Sequence, residues 1–168
     1  IKRSGAQVGD NIYVSGEIGN AAYCLRKIKE GLKPQKTELI KLNRPLPRLE
    51  LGSSLIYVAS SCIDISDGLE QDLGHIINAS KVGAVIAVKD LPLSKNLASY
   101  IKVSGDWELP LCGGDDYELC FTAPENLDST IKEIAKTCNV RITKIGVIND
   151  SKRLKIDGYD GDIKSYQH

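Results

Sequence analysis

The stretch IDISDGLEQDLGHII, Ile63 to Ile77, changes its period in the middle. Ile63 and Ile65 flank Asp64 with the two-residue alternation of a strand, which turns the carboxylate away from both isoleucines. Beyond Asp67, the residues Leu69, Leu73, Ile76 and Ile77 recur at i, i+4, i+7 and i+8, the apolar face of a helix of about three turns. Asp64, Ser66 and Asp67 therefore sit where a strand runs into a helix. Fully extended, the two carboxylates would lie ~10 Å apart, and a tight turn would aim both out of one end of a sheet. Asp67 with Glu70 also has capping-box spacing, a role worth about 1 kcal/mol. Capping explains Asp67 but not Asp64, a charge at the end of an apolar strand that needs a partner or water.

Strand and helix patterns interleave on both sides of this stretch. Upstream, Ile12 to Val14 reads as a strand, and Asn20 onward as a helix with Ala21, Leu25, Ile28 and Leu32 on its apolar face. Leu42 to Ser54 carries Pro45 and Pro47 and is expected to be an ordered but irregular connection. Residues 55–65, LIYVASSCIDI, accommodate either one strand or a short helix followed by a strand at Ile63 to Ile65. Downstream, AVIAV predicts a buried strand, a helix is expected from Ser94, and Tyr117 to Ala123 reads as a strand. A helix bearing Leu127, Ile131 and Ile134 precedes a strand with Ile142, Ile145 and Val147, and RLKIDGYDGD suggests a hairpin at Gly158. The pattern predicts an α/β or α+β layered sandwich forming one domain.

A second acidic cluster lies in CGGDDYEL, where Asp115 and Asp116 follow Gly113 and Gly114. The glycines would permit positive φ and close backbone approach. Two acid-rich turns at strand ends suit a hard cation such as Mg²⁺, which takes oxygen ligands and bridges carboxylates to phosphates. Gly16 and Gly19 in VSGEIGN read as helix-entry glycines, because the Walker lysine is missing.

Composition narrows the function. Lys plus Arg number 22 and Asp plus Glu number 22, a balance that argues against a general nucleic-acid binder. No apolar run has the ~18 residues needed to cross a bilayer, and no signal peptide is evident. The five cysteines form no C-x-x-C pair, consistent with reduced thiols in the cytoplasm, and His75 and His168 are too few to suggest zinc. The chain begins at Ile1 and contains no methionine, so it is expected to be part of a longer product.

Four segments together carry a resemblance: RSGAQVGDNIYVSGEIGNAA, RPLPRLELG, IDISDGLEQDLGHIINAS and CGGDDYELCFTAP. In this order they resemble the C-terminal half of the thiamine-monophosphate kinase family, in the superfamily typified by aminoimidazole ribonucleotide synthetase. The resemblance implies that residues 1–168 are the C-terminal domain of a two-domain kinase, partly ferredoxin-like, whose N-terminal domain is missing here. It implies transfer of the ATP γ-phosphoryl group to thiamine monophosphate, giving thiamine diphosphate, with Mg²⁺ as cofactor. It also implies a homodimeric parent enzyme and a fragment that is monomeric and inactive alone. By position, Asp64 and Asp67 would be Mg²⁺ ligands, Arg3 and Ser66 ATP contacts, and Asp115 and Tyr166 substrate contacts. Asp115 stands where the family commonly has Glu, and GEIGN departs from a more usual GTLGD. The rival readings are another ATP-using member of the superfamily, such as aminoimidazole ribonucleotide or selenophosphate synthetase, and a non-catalytic binding domain.

Overall fold

Ser61–Ile65 is a strand (β2) and Leu69–Ser80 a helix (α4), as the change of period predicts. The computed structural model describes residues 1–159, and Tyr166 lies outside them. In chain order the other elements are β1 (Asn11–Ser15), α1 (Asn20–Lys29), α2 (Lys36–Asn43), α3 (Leu49–Ser54), β3 (Gly83–Ala87) and α5 (Lys95–Ser104). They are followed by α6 (Glu108–Cys112), β4 (Glu118–Ala123), α7 (Asp128–Thr137), β5 (Ile142–Asn149) and β6 (Leu154–Asp157).

The described strands form one sheet in the order β2-β4-β1-β5-β3-β6. Its pairs are antiparallel except β3–β6, which is parallel. Strand pleating sends alternate residues to opposite layers. Ile12 and Val14 of β1, with Ile63 and Ile65 of β2, bury themselves against Leu69, Leu73, Ile76 and Ile77 of α4. Tyr13, Phe121 and Ala123 face the other way, onto Leu51 and Leu55 around α3 and Ile131 of α7. Tyr13 and Phe121 pair across the strands and stack with ring centroids 5.2 Å apart. Helices thus cover both faces, the expected layered α/β arrangement.

Several local expectations are corrected. Of the expected apolar face Ala21 is buried, but Leu25, Ile28 and Leu32 are exposed, and Tyr23 and Cys24 are buried instead. The neighbouring face packs with α5 and α6 through Tyr23, Leu97, Ile101 and Leu109. The connection from Leu42 to Ser54 is not irregular throughout: α2 runs to Asn43, and α3 begins at Leu49, just after Pro47. Both prolines lie between the helices, where their restricted φ does no harm. β6 forms as a strand but pairs in parallel with β3, and the residues of any returning arm at Gly158 lie outside the described region beyond Tyr159.

Candidate functional site at two joined acidic loops

The turn from β2 into α4 is built by backbone amides and one buried carboxylate. Asp72, 2% exposed, lies in the first turn of α4, and its Oδ2 accepts hydrogen bonds from the backbone N–H of Ser66 (2.9 Å) and of Asp67 (3.0 Å). The N-cap position falls on Gly68, with φ of 106°, where a side chain would be strained. Asp67 is therefore not the cap, and the expected Asp67–Glu70 capping box does not form, because Asp72 takes the amides ahead of the helix. Glu70 points instead toward Cys112, its Oε2 at 3.9 Å from the thiol sulfur. The Gln71 Nε2 donates to Asp67 Oδ2 at 3.4 Å.

The second acidic segment is tied directly to this turn. The N–H of Asp115 donates to the Ser66 carbonyl at 3.0 Å, and the N–H of Tyr117 to the Ile65 carbonyl at 2.9 Å. A Cβ on Gly114 would stand 2.3 Å from the Ser66 carbonyl oxygen, so the seam closes only over glycine. The expected positive φ is found at Asp115 (68°) and Tyr117 (51°) rather than at Gly113 and Gly114, which serve close approach.

Asp116 and Glu118 are committed to other partners. Asp116 caps α1, accepting from the N–H of Gly19 (2.5 Å) and of Ala21 (3.5 Å), and burial pushes its carboxyl up to about 7. Gly19 is thus a helix-entry residue, as expected. Glu118 receives Nε and Nη2 of Arg48 at 2.7 and 2.6 Å, together with the Ser15 hydroxyl. This pins the Pro-rich connection onto the start of β4.

Ser66, Asp67 and Asp115 line one cleft of about 390 Å³, walled by α1 through Ala22, Arg26 and Lys29. Arg3 and Asp64 line a different groove, of about 580 Å³, beside Arg48 and Tyr117 along the edge strand β2. Asp64 is exposed and turned opposite to Ile63 and Ile65, as its place in the strand requires. Among the described residues, no group of three or more carboxylate, imidazole or thiol side chains is arranged to hold a metal ion. Asp64 and Asp67 have the oxygen donors Mg²⁺ prefers. A Mg²⁺ that keeps waters and phosphate oxygens fits so sparse a protein ligand set.

Asp72 and the Arg48–Glu118 pair were not anticipated, and Asp116, expected in the acidic cluster, caps α1 instead of lining the cleft. Asp72 left one signal in the sequence: it falls three residues after Leu69 and beside Leu73, a charge on the apolar face of its helix.

A sheet carrying two joined acidic loops at its strand ends describes a class that comparison identifies. The chain belongs to the family described as AIR synthase related protein, C-terminal domain, whose model matches residues 7–158. Within it, the chain is 40% identical over 154 residues to thiamine-monophosphate kinase of Haemophilus influenzae, covering 89% of this chain and 47% of that protein. It is 44% identical over 130 residues to thiamine-monophosphate kinase of Escherichia coli K12, covering 74% and 40%. The chain thus spans about half the length of the curated relatives it matches. Among solved structures, it is similar to thiamine-monophosphate kinase from Stenotrophomonas maltophilia K279a, with TM-score 0.88 and 36% identity, covering 96% of this chain and 54% of that one. It is also similar to AaThiL complexed with AMPPCP and TMP, with TM-score 0.81 and 30% identity, covering 99% and 53%.

Proposed function

We propose that this chain is the C-terminal domain of a two-domain, ATP-dependent kinase that converts thiamine monophosphate to thiamine diphosphate. The observation that carries the reading is 40% identity to a thiamine-monophosphate kinase across 89% of this chain. The matched span takes in both acidic loops, and the similarity to a structure holding AMPPCP and TMP adds support. In this reading Asp64 and Asp67 are Mg²⁺ ligands, Arg3 and Ser66 contact ATP, and Asp115 and Tyr166 contact thiamine monophosphate. The parent enzyme works in the cytoplasm as a homodimer, and the domain by itself is monomeric. Among the described residues, no helix is long and apolar enough to cross a membrane.

The chemistry asks little of a general base. The acceptor is a phosphate whose second pKa is about 6, so it is largely dianionic near neutrality. The obstacle is the repulsion between two polyanions, and bound Mg²⁺ supplies charge neutralisation and alignment for in-line transfer. The task of this chain is to hold its carboxylates and hydroxyl in fixed positions. Asp72 and the seam to Asp115 immobilise the backbone at Ser66 and Asp67. Arg3 gives the groove beside Asp64 a cationic side for phosphate oxygens, while Arg48 in the same groove is neutralised by Glu118. Transfer is direct, with no phosphorylated protein intermediate.

The deciding experiment joins the domain to an upstream half taken from a thiamine-monophosphate kinase and follows thiamine diphosphate formation from ATP. Activity is expected in the joined protein and a negligible rate in this chain alone. Asp64→Asn and Asp67→Asn should each lower the rate by about 100-fold or more, the scale of a lost electrostatic stabiliser. An inactive joined protein that is folded, or full activity in both variants, would refute the reading.

A further inference from the structure

We propose that Asp72 is a positioning residue, whose carboxylate sets the main chain of Ser66 and Asp67 so that both side chains address the cleft. The inference rests on the kinase reading for its consequence, but not for its geometry.

Three observations converge. Asp72 is 2% exposed, on a helix face otherwise made of Leu69, Leu73 and Ile76, where an ionisable group is costly unless it is used. Among the described residues its side-chain hydrogen bonds reach back past the Gly68 N-cap to the two residues just before it, not into its own helix. Those same residues meet the second loop, since the Ser66 carbonyl accepts from Asp115 N–H. Asp72 therefore holds one side of the strip that joins the two loops, and the Asp115 amide holds the other. Without Asp72, two part-buried amides lose their acceptor and the turn is free to rotate its peptide planes. Ser66 and Asp67 then swing with the backbone that carries them.

Both bonds fall on one oxygen, Oδ2, so the amide oxygen of asparagine can replace it. This separates positioning from charge. In the joined two-domain enzyme, Asp72→Ala should raise the Mg²⁺ concentration giving half-maximal rate by about tenfold or more, as expected when hydrogen bonds to a charged acceptor are lost. Asp72→Asn should stay within about threefold of the parent, because it keeps the acceptor. In this chain by itself, hydrogen exchange provides a readout independent of activity. The amides of Ser66 and Asp67 should exchange about tenfold or more faster in Asp72→Ala, with β2–β4 ladder amides unchanged and protection kept in Asp72→Asn.

An unchanged Mg²⁺ requirement in Asp72→Ala, alongside fast exchange at Ser66 and Asp67, would overturn the proposal. So would full protection of those amides in Asp72→Ala. Should the alanine variant fail to fold, the asparagine variant decides: loss of protection at Ser66 and Asp67 with a parental Mg²⁺ requirement overturns it, and parental values for both support it. A parent that makes no thiamine diphosphate refutes the kinase reading, while the exchange measurement still decides whether Asp72 holds the turn.

Discussion

At the scale of single residues, Asp72 and Asp116 direct their carboxylates to main-chain amides and Glu118 directs its own to an arginine. Asp116 shows what that costs. Burial raises its carboxyl from an ordinary 3.8 to about 7, against the opposing pull of the Gly19 and Ala21 amides. The folded state therefore binds this proton more tightly than the unfolded chain does. The corresponding stability is fully present below about pH 3.8 and is lost as the pH rises through about 7. Asp116→Asn carries no titrating proton. Urea midpoints measured from pH 4 to pH 8 should show the parent losing ground to this variant as pH rises, and running parallel to it above about pH 8. Parallel behaviour over the whole range would show that Asp116 titrates normally.

At the scale of elements, the Arg48–Glu118 pair joins α3 to β4 across the edge of the sheet. Glu118 is 7% exposed, so removing its partner leaves a carboxylate with little water to compensate. Arg48→Leu should destabilise the fold by about 3–5 kcal/mol, and the double variant Arg48→Leu/Glu118→Leu should recover part of that loss. Equilibrium denaturation of both variants tests this. The pair also shows where sequence reading stops. Helix α4 was legible because its apolar residues repeat at the helical period from Leu69 to Ile77, and the end of β2 because Ile63 and Ile65 alternate with Asp64. The elements α2 and α3 were not, because their short runs flank prolines and gain order mainly by docking. The Arg48–Glu118 contact joins residues 70 positions apart, and no local pattern encodes it. Ser66, Asp67 and Asp115 were legible as candidates from their acidic turns, but their separation from Arg3 and Asp64 into another groove depended on the pleat and on strand order.

At the scale of the whole molecule, the sheet has helices on both faces, yet Leu25 and Ile28 of α1 and Leu32 just beyond it are exposed. Only Ala21 of the expected face is buried, because the helix docks through Tyr23 onto Leu97 and Ile101 of α5 and Leu109 of α6 instead. Ile28→Lys and Leu32→Lys should each change stability by no more than about 0.5 kcal/mol, as substitutions at surface positions do. A loss of several kcal/mol in thermal or urea unfolding would show that this face is covered.

The seam between the two acidic loops has a further consequence for motion. Backbone bonds from Asp115 and Tyr117 to Ser66 and Ile65 clamp both loops to the same strand pair, with no room for a side chain at Gly114. The two loops consequently form a stiff wall, and a ligand meeting it would incur little entropy penalty for ordering it.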